Sequence, residues 1–115
     1  MLAKQSRLVK EKDFKKIFKR GKSSYAKIFC LKVLANELEI NRYGIVISTK
    51  ISKKAVERNK LKRQIRAAIK ELDKKLNRGF DLIVVAYPAA KNQPYEFIKS
   101  ELGKMLFTLK SRIDV

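Results

Sequence analysis

The sequence predicts a single α+β domain in which a small mixed sheet packs against helices. Helical and strand patterns follow one another in the order helix, strands, helix, strand, helix, which is typical of this class. The 115 residues, 45% of them hydrophobic, are enough for one domain with a core of its own. Because no repeat, low-complexity segment or linker interrupts the pattern, we expect one domain over residues 1–115, with residues 1–10 as a mobile basic arm.

The first predicted helix follows this arm. Phe14, Ile17 and Phe18 are spaced i, i+3, i+4, so they share one face of the helix. Asp13 is the expected N-cap, and Gly21, which follows two basic residues, is the expected C-terminal stop.

Three segments rich in strand-forming residues are predicted to be strands. The first two, residues 26–34 and 43–48, are separated by a polar stretch, residues 35–42, which we interpret as a hairpin loop. The third, residues 80–87, is almost wholly apolar after Asp81, so we expect a central strand that is covered on both faces.

Two further helices are predicted from their apolar stripes. The longer pattern covers residues 53–76, and its core-facing residues are Leu61, Ile65, Ala68, Ile69, Leu72 and Leu76. Pro94 is expected to open the last helix. Its buried stripe consists of Ile98, Leu102, Met105, Leu106, Leu109 and Ile113.

Net charge dominates the functional interpretation. The chain carries +18, from 29 Lys and Arg against 11 Asp and Glu, and self-repulsion of this size favours a polyanionic partner. Nucleic acid is the first candidate, an anionic membrane surface the second and an acidic protein the third. No segment approaches the roughly 20 apolar residues of a membrane span. A single cysteine, Cys30, expected to be a small core residue, and the absence of histidine favour a reducing cytoplasm and exclude most zinc chemistry.

The positive charge is most concentrated between Lys50 and Lys70, where Glu57 is the only acid. A charge run is usually a solvated helix face, but such faces mix signs to gain i,i+4 pairs. On a helical wheel a set of donors lies away from the apolar stripe, and it comprises Asn59, Lys60, Lys62, Arg63, Arg66 and Lys70. Arg58 lies nearer the apolar edge, as a rim or structural residue would. The preceding residues, 48–54, add hydroxyl and backbone donors suited to phosphate oxygens.

Residues 55–66, AVERNKLKRQIR, resemble the arginine–asparagine signature of the bacterial ribonuclease P protein family. Arg58, Asn59, Lys62, Arg63 and Arg66 match that signature position by position. The flanks are also similar to the family, in the same order and spacing, over residues 7–23, 43–48 and 80–90.

The resemblance implies a mixed four-stranded sheet packed with helices, and the elements follow one another along the chain roughly in the order α-β-β-(β)-α-β-α. It also implies a left-handed strand–helix–strand crossover. It also implies a partner, the catalytic RNA subunit of ribonuclease P, and a substrate, precursor tRNA, whose 5′ leader the complex removes. In that family the RNA supplies the active site and requires Mg²⁺. The protein would then contribute no catalytic residue, metal ligand or bound cofactor, and would use neither a membrane nor a small-molecule substrate.

The resemblance further implies two binding surfaces. Residues expected to contact the catalytic RNA are Lys50, Lys53, Lys54, Arg58, Asn59, Lys60, Lys62, Arg63, Arg66 and Lys70. Residues expected at the leader cleft are Phe14, Phe18, Lys32 and Ser48. Core packing is the alternative role for the two phenylalanines. Ser23, Ser24 and Tyr25 are expected to form the turn into the first strand, with leader contact as the alternative.

Two other functions compete with this one. A self-sufficient nuclease needs converging carboxylates or a histidine base, whereas the acids here are scattered along the chain and histidine is absent. A general RNA-binding or ribosomal protein with no processing role fits the composition equally well, and only the signature argues against it.

Overall fold

The chain folds as α+β, with four strands in one mixed sheet, as the sequence predicts. The computed structural model describes residues 7–76 and 78–113, with side chains described as far as residue 108. In chain order the elements are α1 (Glu11–Arg20), β1 (Lys22–Tyr25), β2 (Phe29–Ala35), β3 (Arg42–Val46), α2 (Ala55–Asp73), β4 (Phe80–Ala86) and α3 (Tyr95–Ile113), with a short 3₁₀ turn at Pro88–Ala90.

The strands lie in the order β1-β2-β4-β3. The β1–β2 and β2–β4 pairs are antiparallel, and the β3–β4 pair is parallel. The prediction of a central strand is therefore confirmed for β4, which has a neighbour on each side and is buried at five of its seven positions. Helix α2 joins the parallel pair, and the left-handed sense of this crossover stays a prediction.

Residues 35–42 do not close a hairpin, and this prediction was wrong. β4 lies between β2 and β3, because its apolar run is buried best where strands flank it on both sides. The connection is instead fixed by Asn36. Its amide donates to Asp81 Oδ1 at 2.9 Å, and its Oδ1 accepts the Leu38 N–H at 2.7 Å.

The first predicted strand, residues 26–34, begins later than expected as β2 (Phe29–Ala35), and a further strand precedes it. Residues 26–28 form a turn, closed by the Ala26 N–H donating to the Phe29 carbonyl at 2.9 Å. The residues before it, predicted as a turn, form β1, which pairs with β2 from Lys22 to Tyr25. A four-residue polar edge strand has no apolar alternation to reveal it, and its pairing is supplied by β2.

Part of the predicted mobile arm is packed. Leu8 is only 6% exposed, and its backbone N–H donates to the Tyr43 carbonyl at 2.8 Å. Arg7 forms an isolated parallel β-bridge with Tyr43. Residues 7 and 8 therefore extend the sheet beyond β3, because Leu8 gains a buried site there. Residues 1–6 of the arm lie outside the described residues.

Helix α1 begins three residues earlier than the predicted N-cap, Asp13, would place it. Lys10 occupies the N-cap position, and Asp13 lies within the first turn, where its carboxylate favours the helix dipole. Gly21 ends the helix as predicted, but its φ of −70° is ordinary. Glycine is needed there for space, because a Cβ would lie 2.5 Å from the Ile17 carbonyl oxygen.

Two apolar cores lie on opposite faces of the sheet. The larger is formed with α2 and α3, and its fully buried members include Phe29, Leu31, Ile65, Ile69, Val84, Ile98 and Leu102. The predicted stripes of both helices are confirmed in this core, with Leu72 and Leu76 only half-buried. The Leu109 and Ile113 side chains lie outside the described residues.

The smaller core is formed with α1 and contains Leu8, Ile17 and Ile83, with Phe14 packed against it. Phe14 rests directly on the backbone of Gly44, since a Cβ at that position would lie 2.6 Å from Phe14 Cζ. This contact sets how closely α1 approaches the sheet.

A polar network fixes one end of the domain. The Tyr43 hydroxyl and the Arg78 guanidinium both donate to Asp73, which joins the end of α2 to β3. Burial opposes ionisation of Asp73, but these hydrogen bonds outweigh it and hold the pKa of its carboxyl below the ordinary value. Alongside, Arg42 makes two hydrogen bonds to Asp81, at 2.8 and 2.7 Å.

Replacing Gly44 by alanine is expected to lower the free energy of unfolding by about 1–3 kcal/mol, because the new methyl group displaces Phe14. Urea unfolding measures the change. Gly103→Ala is the matched control: its Cβ would meet only Leu72 Cδ2, at 3.6 Å. Inside a helix that change is expected to stabilise by about 0.5–1 kcal/mol. Equal effects of the two substitutions would contradict the packing described.

The Asp73 network predicts a loss of stability in acid. A carboxyl whose pKa is lower in the folded chain stabilises it above the unfolded pKa of about 3.9, and this contribution disappears as pH falls through the folded value. Asp73→Asn should cost about 1–3 kcal/mol at pH 7 through its weakened hydrogen bonds. Urea titrations between about pH 6 and 3 should then show a shallower decline for Asp73→Asn than for the unmodified chain. Parallel declines would exclude this role.

Candidate nucleic-acid interface

Helix α2 presents its cations outward without neutralising them. Asn59, Lys60, Arg63 and Lys70 are exposed, as the helical wheel predicted. Within residues 7–76 and 78–113, none of these three cations forms a salt bridge with an acid.

The acids of α2 are used elsewhere. Glu57 approaches Lys91 at 3.8 Å, and Glu71 pairs with Lys99 at 2.8 Å, both on the side that faces α3 and the loop before it. The Ser52 hydroxyl bonds Glu57 and lowers the pKa of its carboxyl. The ammonium of Lys99 has the same effect on the pKa of Glu71. The negative charges of the helix therefore stabilise internal contacts and leave the outer face positive.

The loop before α2 is held by hydrogen bonds of Ser52, Ser48 and Arg58. The Ser52 hydroxyl donates to Glu57 at 2.8 Å and accepts the Lys54 N–H at 3.1 Å. The guanidinium of Arg58 donates to the Ser52 carbonyl at 2.8 Å, and the Ser48 hydroxyl accepts the Lys50 N–H at 3.0 Å. Ser52 thus ties the loop to Glu57 in the first turn of α2, whose N-cap residue, Lys54, supplies no side-chain cap.

This loop adds three exposed lysines to the outer face of α2. We refer to the combined set as the cationic surface, and it comprises Lys50, Lys53, Lys54, Asn59, Lys60, Arg63 and Lys70. Arg58 is half-buried and holds the loop, as its position on the wheel indicated, and its predicted contact with RNA stays a prediction.

Lys62 and Arg66 lie apart from the cationic surface. Both are half-buried on the flank of α2 that faces β3. There they line a pocket of about 240 Å³, together with Arg7, Phe14 and the backbone strand around Gly44. We refer to this cavity as the edge pocket.

A second surface lies on the sheet face that α1 covers only in part. The strand register places Tyr25, Cys30, Val85 and Val46 in one row across the sheet. Val46 and Val85 are half-buried, and Tyr25 is 69% exposed. Cys30 is buried, as expected of a small core residue.

Tyr87 follows β4 on the same side as Val85 and is half-buried there. Burial raises the pKa of its phenol, and contact with Cys30 adds to the effect. We refer to this row, with Tyr87 and the adjoining Phe18 and Lys32, as the open face.

The two phenylalanines of α1 have different environments. Phe14 packs on Gly44 and joins the smaller core, whereas Phe18 is 42% exposed. Lys32 lies beside Phe18, with its Nζ 6.0 Å from the ring centroid, and donates to the Ser23 hydroxyl at 2.6 Å. An exposed ring beside a positive charge is the pairing that single-stranded nucleic acid uses, since it stacks bases and holds phosphates.

Of the four residues predicted at a leader cleft, the structure places Phe18 and Lys32 together. Phe14 instead packs on Gly44, and Ser48 is exposed beyond the end of β3. Tyr87 was not assigned to this face from the sequence, and leader contact was only the alternative for Tyr25, which was expected in a turn. Recognising β1 would have revealed Tyr25, because its pairing with Cys30 puts it on the same side as Lys32.

The described residues bring no three His, Cys, Asp or Glu side chains together at metal-binding distance. Over the same part of the chain, no helix has the length and hydropathy needed to cross a membrane.

Comparison with known proteins points to one family. The family model described as Ribonuclease P matches residues 2–110. The chain is 38% identical over 104 residues to the Ribonuclease P protein component of Clostridium botulinum strain 657, covering 90% of this chain and 93% of that protein. It is 36% identical over 114 residues to the component of Synechocystis, covering 98% and 91%.

Solved structures give the same result. A mutant RNase P protein of Staphylococcus aureus, described as defective in mRNA degradation activity, superposes with a TM-score of 0.86 at 34% identity, covering 93% of this chain and 90% of that one. The RNase P protein from Thermotoga maritima superposes with a TM-score of 0.80 at 31% identity, covering 87% and 94%.

Proposed function

Because the chain belongs to the ribonuclease P protein family, and so takes part in tRNA processing as a ribonuclease P protein component, we propose how it does so. Its cationic surface binds the catalytic RNA of ribonuclease P. Its open face binds the 5′ leader of precursor tRNA while the leader is cleaved off. The protein would act in the cytoplasm, where tRNA precursors are processed.

The observation that carries this proposal is the separation of two unlike surfaces. The cationic surface offers charge without aromatic rings, which suits the sugar–phosphate backbone of a folded RNA. The open face offers the exposed rings of Phe18 and Tyr25 around one ammonium group, which suits unstacked bases. One chain is thus equipped to hold a structured RNA and a single strand at the same time.

The proposed mechanism is electrostatic and positional. Two RNAs repel one another along their backbones, and cations placed between them reduce that repulsion and release condensed counterions. In the proposal the catalytic RNA holds the Mg²⁺ and performs the hydrolysis. This chain aligns the substrate, and correct alignment of a scissile bond alone accounts for large rate effects.

At the open face the proposed contacts are specific. Phe18 and Tyr25 stack on leader bases, each stack contributing about 1–3 kcal/mol. Lys32 holds a phosphate between them, and its bond to Ser23 fixes the ammonium before RNA arrives. Ser48, whose hydroxyl accepts a backbone N–H of its own loop, contacts the leader where it leaves the sheet.

Neutralising part of the cationic surface tests the first half of the proposal. Lys60→Gln, Arg63→Gln and Lys70→Gln together should weaken binding of the catalytic RNA, and should lower the slope of log K against log salt by about 0.7–0.9 per lost phosphate contact. Filter binding at several salt concentrations measures both quantities.

The control removes the same charge outside the cationic surface, at the C-terminal end of α2 and on α3, through Lys74→Gln, Lys75→Gln and Lys104→Gln, which are all exposed. Its affinity should change much less than that of the first variant. Equal losses of affinity for the catalytic RNA in the two triple variants would mean that binding depends on net charge and not on position. The assignment of the cationic surface would then be wrong.

The second half is tested at Phe18. Phe18→Ala should weaken binding of precursor tRNA to the assembled complex by about 1–3 kcal/mol and leave mature tRNA nearly unaffected, because only the precursor carries a leader. Phe97→Ala on α3 is the control, since Phe97 is 40% exposed against 42% for Phe18. Equal losses for precursor and mature tRNA would place Phe18 outside the leader contact.

A further inference from the structure

The edge pocket lies between the two proposed surfaces. One wall is the flank of α2 with Lys62 and Arg66, and the opposite wall is Phe14 of α1 with the segment that contains Arg7. Its floor is the outer edge of β3 at Tyr43, Gly44 and Ile45. The pocket is therefore built from four separate parts of the chain.

The charge in the pocket has one sign. Three of its lining residues are cationic, and among the described residues that line it none is acidic. In a concave site with apolar walls, such charges reinforce one another and focus the potential. Lys62 and Arg66 are half-buried, so their charges are less screened than those of the fully exposed Lys60 and Arg63.

The floor adds a backbone element. β3 is an edge strand, and the segment of residues 7 and 8 pairs with it only at Tyr43. Backbone groups two residues apart on a strand point to the same side, and the Tyr43 carbonyl faces outward because it accepts the Leu8 N–H. The Ile45 N–H consequently points along the same outer edge, toward the pocket.

From this arrangement we propose that the edge pocket is a binding site for a single phosphodiester group of RNA, held by Arg7, Lys62, Arg66 and the backbone at Ile45. The inference rests on the proposed function, since it takes RNA to be the ligand, and it adds a defined site between the two surfaces.

Size and lining favour a small anion over other ligands. Pockets for drug-sized molecules have volumes of about 300–1,000 Å³ and are mostly hydrophobic. The edge pocket, at about 240 Å³, has the volume of about eight water molecules at 30 Å³ each. A phosphate group with part of its sugar fits that space, and the guanidinium of Arg66 can bond two phosphate oxygens at once.

The experiment uses the full chain labelled with ¹⁵N and titrated with inorganic phosphate at constant ionic strength. The amide signals of Ile45 and Val9 should shift and saturate. The double variant Lys62→Gln and Arg66→Gln should weaken this binding at least tenfold. The control pair, Lys60→Gln and Arg63→Gln, removes equal charge from the same helix and should retain phosphate affinity within about twofold, since added salt screens distant exposed charges.

A charge-preserving variant distinguishes loss of the two charges from loss of folding. Lys62→Arg with Arg66→Lys keeps both cations and should still bind phosphate at the same amides. Shifts that never saturate would overturn the site, and so would equal losses in the two glutamine pairs.

Two RNA measurements identify the source of the phosphate. If the phosphate belongs to the catalytic RNA, Lys62→Gln with Arg66→Gln weakens assembly of the protein with that RNA in the absence of tRNA. If it belongs to the leader, the same variant lowers the affinity of the assembled complex for precursor tRNA relative to mature tRNA. No loss in either measurement overturns the inference. The control pair reports separately on the proposed function, which fails if Lys60→Gln with Arg63→Gln leaves binding of the catalytic RNA unchanged.

Discussion

Repulsion among the cations around α2 is the constraint on which the rest of the structure depends. The helix contains acids that could relieve it, but Glu57 and Glu71 are engaged by Lys91 and Lys99 on the inner flank. Asp73 is likewise held at the other end by Tyr43 and Arg78. The outer face therefore keeps its charge, and the folded chain tolerates it because the opposite side of α2 is packed in the larger core. Binding of a polyanion would lower the electrostatic repulsion that remains among these cations in the folded chain.

The two faces of the sheet are covered to different extents. The larger core, formed with α2 and α3, covers one face, while α1 covers only part of the other. The close approach of Phe14 to Gly44 brings α1 down onto the sheet and leaves Phe18 at its margin beside Lys32. A contact in the smaller core thus determines where an exposed ring lies. Packing of the smaller core and the shape of the open face therefore depend on the same contact.

Periodicity predicted the three helices and the central strand because each buries a continuous apolar stripe. It failed where pairing partners decide the structure. β1 has no stripe of its own, and the β2–β3 connection resembles a hairpin until β4 is known to lie between those strands. The cationic surface was accessible from sequence because charge and helical phase are local properties. The edge pocket was not, since Arg7 and Arg66 meet only through the fold.

The partial pairing of β3 has a consequence for the protein before it meets any RNA. An unpaired strand edge is a template on which a second polypeptide can add a strand and start aggregation. Residues 7 and 8 occupy one stretch of this edge, and Lys62 and Arg66 stand over the next. An incoming strand would have to bury both charges without partners. Lys62 and Arg66 are therefore expected to disfavour the addition of a second chain to this edge.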